Sequence, residues 1–118
     1  MEFLETRLFT EVLPGYLSDD EYRQLQASLA VHPEAGDLMP GTGGFRKLRW
    51  ADQRRRKGKR GGLRVIYYHL VADMTIWLFT LYDKDEATDL SPSQRRLLKA
   101  SIDEETRRRA GRQRPKRS

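Results

Sequence analysis

The 118-residue chain contains no cysteine and only two histidines, His32 and His69, which lie far apart in the sequence. The absence of cysteine excludes a disulfide framework, a thiolate zinc site and a thiol nucleophile. Two isolated histidines support neither a metal site nor a catalytic Cys/His pair. We therefore expect no metal and no cofactor, so that any chemistry must be carried by other side chains.

Long apolar segments are also missing. The apolar run at residues 74–82 is about nine residues long, whereas a membrane-spanning helix needs about 20. Glu2 and Glu5 stand where a secretory signal would carry basic residues. These features predict a soluble cytoplasmic protein that does not bind a membrane.

Positive charge is what the chain has in excess, and it is concentrated in two short segments. The formal net charge is +6, yet residues 1–45 and residues 65–105 are each net acidic. Residues 46–64 carry ten basic side chains and one acidic one, and residues 106–118 carry seven basic side chains and none that is acidic. Such a local density of cations is typical of proteins that bind a polyanion, most often nucleic acid.

Capping signals predict two helices. Ser18 and Glu21 form a capping-box pattern in front of apolar residues at three- and four-residue spacing, and Pro33 is expected to end this helix. Ser91 followed by Pro92 begins a last helix, because proline is well tolerated at the first helical position. The opening residues fit either a strand or a helical turn.

Three segments are predicted to be strands. In residues 45–50 successive side chains would alternate between the two faces of a strand. Residues 63–71 and 74–82 are β-branched and aromatic runs separated by a two-residue turn, which predicts a hairpin. Both runs are apolar on both faces, as strands covered on two sides would be. The glycine-rich residues 36–44 are predicted to be a loop.

The predicted fold class is α+β, with a mainly antiparallel sheet, N-terminal helices on one face and a C-terminal helix. We expect one domain over residues 1–105. Residues 106–118 have no hydrophobic periodicity and are predicted to form a disordered basic tail.

Several cations fall on the predicted strands. Lys47 and Arg49 share one strand face and Arg64 opens the next strand, so that antiparallel pairing would bring the three together. Like charges opposite one another cost stability unless an anion such as a phosphate lies between them. Tyr82 and Lys84 close the third strand and are expected to project toward the same patch.

A patch of this kind suits the cleavage of RNA without a metal ion. The 2′-hydroxyl must lose a proton and attack the adjacent phosphorus, arginine can bind the nonbridging oxygens, and lysine or tyrosine can transfer protons. These residue types alone do not separate cleavage from binding, since a solvated basic face and a packing role for Tyr82 are alternatives. Further RNA contacts are predicted from the loop cations Arg54, Arg55, Arg56, Lys57, Lys59 and Arg60.

Three blocks resemble the RelE/HigB superfamily of toxins from bacterial type II toxin–antitoxin systems, in particular its HigB-like branch. They are GDLMPGTGGFRKLRW (36–50), GKRGGLRVIYYHL (58–70) and TLYDKDEATDLSPSQ (80–94). The resemblance spans residues 3 to about 103. It implies a small RelE-like fold and an mRNA endonuclease that acts in the ribosomal A site and inhibits translation. It also implies neutralisation by a cognate helix-turn-helix antitoxin, with operator DNA bound only through the toxin–antitoxin complex.

The resemblance also implies roles for single residues. Arg64 matches the arginine that stabilises the pentavalent phosphate, and Lys47 and Arg49 match the basic pair on the preceding strand. Lys84 corresponds to a basic residue after the last strand, and Tyr82 is a looser match. The loop is more basic than in many relatives, and the resemblance gives no role to the basic tail.

Two other classes of function are alternatives, because a fold does not fix an activity. One is a non-catalytic relative on the same fold, such as a gyrase-inhibiting toxin of the ParE type. The other is a basic RNA-binding module, whose affinity would fall steeply with salt and which would not cut the strand.

Overall fold

The computed structural model describes residues 1–51, 62–85 and 90–113. In chain order its elements are β1 (Glu2–Glu5), α1 (Arg7–Val12), α2 (Asp19–Val31), β2 (Asp37–Leu38), β3 (Arg46–Trp50), β4 (Leu63–Leu70), β5 (Thr75–Asp83) and α3 (Pro92–Gln113). Short 3₁₀ turns follow α1 and β4. The predicted α+β class is confirmed.

The five strands form one sheet in the order β1-β5-β4-β3-β2. Every neighbouring pair is antiparallel except β1 with β5, which is parallel. The three predicted strands are confirmed with ends shifted by about one residue. The prediction of an irregular loop over residues 36–44 is wrong at Asp37 and Leu38, which pair with β3 as the short edge strand β2.

Side-chain caps fix where the helices begin. The Ser18 hydroxyl accepts a hydrogen bond from the Glu21 N–H, and the Glu21 carboxylate accepts one from the Ser18 N–H, so the predicted capping box is present. Ser91 and Gln94 make the same reciprocal pair at the start of α3. Each box satisfies two backbone N–H groups that the first turn leaves without helical partners.

Two hydrophobic cores lie on opposite faces of the sheet. Successive residues of a strand point to opposite faces, so Val65 and Tyr67 enter one core while Ile66 and Leu70 enter the other. The first core includes Phe9, Leu25 and Leu29 of α1 and α2. The second core includes Phe45, Leu98 and Ile102, two of which belong to α3. The sheet is thus covered on both sides, which accounts for strands that are apolar on both faces.

A β-bulge interrupts the pairing of β4 with β5. Ile66 lies opposite Thr80 but Tyr67 lies opposite Leu78, so Phe79 is an extra residue on β5. Simple alternation would place Trp77 and Tyr82 on opposite faces. Because of the bulge, both side chains pack against the core on the α3 side.

Helix α3 extends to Gln113, so the prediction of disorder is wrong for residues 106–113. The physical reason lies in its ion pairs: Arg108 pairs with Glu104, and Arg109 pairs with Glu105 one turn earlier. Arg109 also reaches Asp73 in the turn between β4 and β5. Among the described residues, no helix is long and apolar enough to cross a membrane.

Candidate functional site

The strand register aligns Arg49, Arg64 and Tyr82 across the sheet. Arg49 lies directly opposite Arg64 on β4, and Arg64 lies directly opposite Tyr82 on β5. Residues opposite one another project from the same face, with Cβ atoms roughly 5 Å apart. We call these three residues the site row; it lies on the α3 side of the sheet, at the end of β4 where the chain enters that strand.

A second row lies beside the site row on the same face. It consists of Asp37, Lys47, Ile66 and Thr80, each opposite the next on β2, β3, β4 and β5. Lys47 is two residues from Arg49 and therefore shares its face. The structure thus brings Lys47, Arg49, Arg64 and Tyr82 together. It also adds Asp37, which sequence reasoning missed because the strand that carries it is two residues long.

The site-row side chains differ in exposure. Arg49 is exposed, whereas Arg64 and Tyr82 are half-buried. One guanidinium nitrogen of Arg64 donates a hydrogen bond to the Leu63 carbonyl at 3.3 Å. Tyr82 packs against the core on the α3 side, so the packing role considered for it holds together with its place opposite Arg64.

Lys84 is exposed and follows the last residue of β5. Its backbone N–H donates to the Gly62 carbonyl at 3.2 Å, just before the start of β4. The buried Asp83 accepts a hydrogen bond from the Asp85 N–H at 2.7 Å and so closes the turn around Lys84. Lys84 therefore lies at the same end of the sheet as the site row, with its backbone held on both sides.

Not every cation of the basic segment belongs to this face. Arg46 points to the opposite side, where it donates to the carbonyl oxygens of Gly36 at 2.8 Å and Glu34 at 3.2 Å. Arg46 therefore stabilises the loop between α2 and β2. The predicted RNA-binding cations Arg54, Arg55, Arg56, Lys57, Lys59 and Arg60 lie outside the described residues.

The Gly41–Gly44 segment is a packed turn between β2 and β3. The Thr42 hydroxyl is buried, donates to the Met39 carbonyl at 2.7 Å and accepts from the Phe45 N–H at 3.1 Å. Gly44 has φ +117°, and a Cβ there would lie 3.0 Å from the Tyr68 ring. The glycines of this segment thus allow the close approach of the turn to β4.

The two histidines are remote from the site row. His69 lies near the C-terminal end of β4, with Nδ1 3.9 Å from a Glu34 carboxylate oxygen. His32 caps the C-terminus of α2. Across residues 1–51, 62–85 and 90–113, no group of three His, Asp or Glu side chains is placed to hold a metal ion.

Two guanidinium groups on neighbouring strands, with a lysine beside them, form an arrangement suited to a tetrahedral anion. Each guanidinium offers a planar set of donors that matches phosphate oxygens, and the lysine adds a point charge. No protein-family model matches the chain. The resemblance of the three sequence blocks to RelE/HigB toxins therefore stays a prediction.

Proposed function

We propose that the chain is the toxin of a type II toxin–antitoxin system, a ribosome-dependent mRNA endonuclease of the RelE/HigB type. The observation that carries this proposal is the alignment of Arg49 and Arg64 on neighbouring strands, with Lys47 and Tyr82 on the same face. Two like charges in register destabilise a sheet, and a bound phosphate removes that cost.

The proposed reaction needs no cofactor. The 2′-oxygen of one nucleotide bonds to the adjacent phosphorus, the bond from phosphorus to the 5′-oxygen breaks, and a cyclic phosphate remains. The 2′-hydroxyl gives up its proton to a base, and the departing 5′-oxygen gains one from an acid. Negative charge grows on the nonbridging oxygens during this step, and preorganised cationic donors stabilise it.

In this proposal Arg64 binds the nonbridging oxygens, since it is half-buried and lies at the centre of the site row, between Arg49 and Tyr82. Lys47 and Arg49 position the phosphate or accept the proton. Lys84 and Tyr82 are the remaining groups for proton transfer. The loop cations within residues 54–60 hold mRNA or ribosomal RNA.

The test is cleavage of a defined mRNA on programmed ribosomes. Arg64→Ala is expected to lower the cleavage rate about 10²- to 10³-fold, the loss typical of removing one donor to a developing oxyanion. Arg64→Lys keeps the charge and loses the planar set of donors, so its cleavage rate should lie between those of wild type and Arg64→Ala. Arg23→Ala is the matched control, because Arg23 is exposed on α2 and pairs with Asp20 one turn away. An Arg64→Ala protein that cuts as fast as wild type overturns the assignment.

The alternatives give different outcomes with the same purified protein. If the protein inhibits supercoiling by gyrase and leaves mRNA on ribosomes uncut, the result would support a ParE-type toxin. RNA binding that weakens steeply with salt, without strand scission, would support a binding module. Toxicity on expression that a co-expressed helix-turn-helix protein relieves would support the proposed antitoxin partner.

A further inference from the structure

A groove of about 360 Å³ opens beside the site row, at the β2 edge of the sheet. Its lining residues are Ala35, Asp37, Lys47, Leu48 and Arg49. Asp37 lies directly opposite Lys47, so its carboxylate projects from the same face as the cations. The groove thus combines a cationic wall toward the site row with a carboxylate on its outer side.

The backbone that carries Asp37 is held firmly by groups on the opposite face. The Tyr67 hydroxyl accepts a hydrogen bond from the Gly36 N–H at 3.0 Å and donates one to the Pro33 carbonyl at 2.8 Å. Arg46 donates to the Gly36 carbonyl at 2.8 Å. A Cβ at Gly36 would lie 3.0 Å from the Tyr67 ring, so glycine is required for this approach. These contacts place Asp37 on a fixed support, as a selective binding site needs.

A phosphate bound between Arg49 and Arg64 would have its nucleotide directed toward one side of the face. Helix α3 and its core cover the adjoining part of the sheet, whereas the groove at β2 is open. Leu48 also lines this groove, but its side chain packs against the core on the α1 and α2 side, so Ala35 is the aliphatic side chain beside which a base can lie. Asp37 then faces the edge of the base.

The chemistry of Asp37 restricts which base edge it can bind. An ionised carboxylate only accepts hydrogen bonds, and its two oxygens suit two adjacent donors. Guanine presents such a pair in its N1–H and its 2-amino group. Adenine and cytosine each place their amino group beside an acceptor, and uracil has one donor between two acceptors. A carboxylate at this position therefore favours guanine.

We propose that this groove is a guanine subsite, in which Asp37 selects the base of a nucleotide next to the phosphate that is cut. The inference rests on the proposed endonuclease function and names its specificity. Asp37 acts by accepting hydrogen bonds from the base, and Lys47 and Arg49 hold the attached phosphate.

The test compares cleavage of programmed ribosomes whose mRNAs carry each of the four bases at each nucleotide flanking the cut. Wild type is expected to cut about tenfold faster or more with guanine at one of these positions, the discrimination given by a bidentate contact. Asp37→Asn should lose this preference and gain one for adenine, because an amide both donates and accepts. Asp37→Ala should lose the preference without gaining another. Asp103→Asn, the same exchange at an exposed position of α3, should keep the wild-type profile.

The possible results separate the two proposals. Cleavage by wild type without a guanine preference, or an unchanged base profile in Asp37→Asn, overturns the subsite and leaves the endonuclease proposal standing. An equal loss of rate for all four bases in the Asp37 variants also overturns the subsite, because it would indicate a structural role. If wild type cuts none of the mRNAs, both proposals fall.

Discussion

Replacing Arg109 by alanine removes the ion pair that ties the C-terminal half of α3 to the sheet. Its guanidinium lies 2.9 Å from an Asp73 carboxylate oxygen and 2.8 Å from a Glu105 carboxylate oxygen. The side chains of Arg109, Asp73 and Glu105 are 18%, 19% and 16% exposed. Without the arginine, the largely buried Asp73 and Glu105 carboxylates both lose the guanidinium that joins them, although Glu105 keeps Arg108 at 3.5 Å.

The size of the effect follows from this partial burial. An exposed ion pair contributes about 0–1 kcal/mol, whereas removing one partner of a buried pair costs about 3–5 kcal/mol. Because the three side chains are each just under one-fifth exposed, the effect should lie between these limits. We expect Arg109→Ala to lower the free energy of unfolding by about 2 kcal/mol. A chain of 118 residues has an unfolding entropy of about 0.25 kcal/mol/K, so Tm should fall by about 8 °C.

Thermal and urea unfolding measure this loss, and amide hydrogen exchange over residues 106–113 shows whether α3 is loosened at its end. Arg108→Ala is the matched control, because Arg108 is the adjacent residue but is 53% exposed and pairs only within the helix, with Glu104 at 3.1 Å and Glu105 at 3.5 Å. Its cost should stay below about 0.5 kcal/mol. The reasoning is refuted if the two variants are equally stable, or if Arg109→Ala leaves the exchange of residues 106–113 unchanged.

Two further predictions concern stability. Burial raises the pKa of Tyr67, and burial with a hydrogen bond to Glu5 raises the pKa of Tyr22. A tyrosine whose pKa is higher in the folded than in the unfolded chain stabilises the fold fully below the unfolded pKa of about 10, and this stabilisation is lost as the pH rises above that value. The urea concentration at the midpoint of unfolding should therefore fall between pH 9 and pH 11. The urea midpoint of Tyr22→Phe should fall less over this pH range, and a fall identical to that of wild type would contradict the reasoning. Gly44→Ala should cost about 1–3 kcal/mol in thermal unfolding, because it adds a clash with Tyr68 to a left-handed backbone. Gly41→Ala, at φ +76° with open space around it, should cost less, and equal losses would refute the clash.

The parts of the fold that sequence predicted are those set by local patterns. The capping box at Ser18 and Glu21 needs four residues, and the hairpin of β4 and β5 follows from two long apolar runs. The extension of α3 was missed because its apolar stripe ends at Ile102. What holds the rest of the helix is the contact of Arg109 with Asp73, a residue 36 positions away in the sequence.

The candidate site was predictable in part for the same reason. Alternation along β3 placed Lys47 and Arg49 on one face, and antiparallel pairing with the next strand was enough to predict Arg64 in the same patch. The position of Arg64 directly opposite Arg49 comes from the register in the structure. Asp37 could not be found because a two-residue edge strand leaves no periodic signal. Nor could sequence show that the bulge at Phe79 brings Trp77 and Tyr82 to the same face, because a bulge depends on the register between strands.

The parallel pairing of β1 with β5 has a consequence for how the domain folds. Glu2 lies opposite Thr75, and the Thr6 hydroxyl bonds the Phe79 carbonyl across 73 positions of chain. Closing a loop of that length costs about 2.5 kcal/mol more in entropy than closing the short turn between β4 and β5. Contacts that are close in sequence form first. We therefore expect the hairpin that carries Arg64 and Tyr82 to form early, so that the N-terminal strand joins a sheet whose cationic face is already in place.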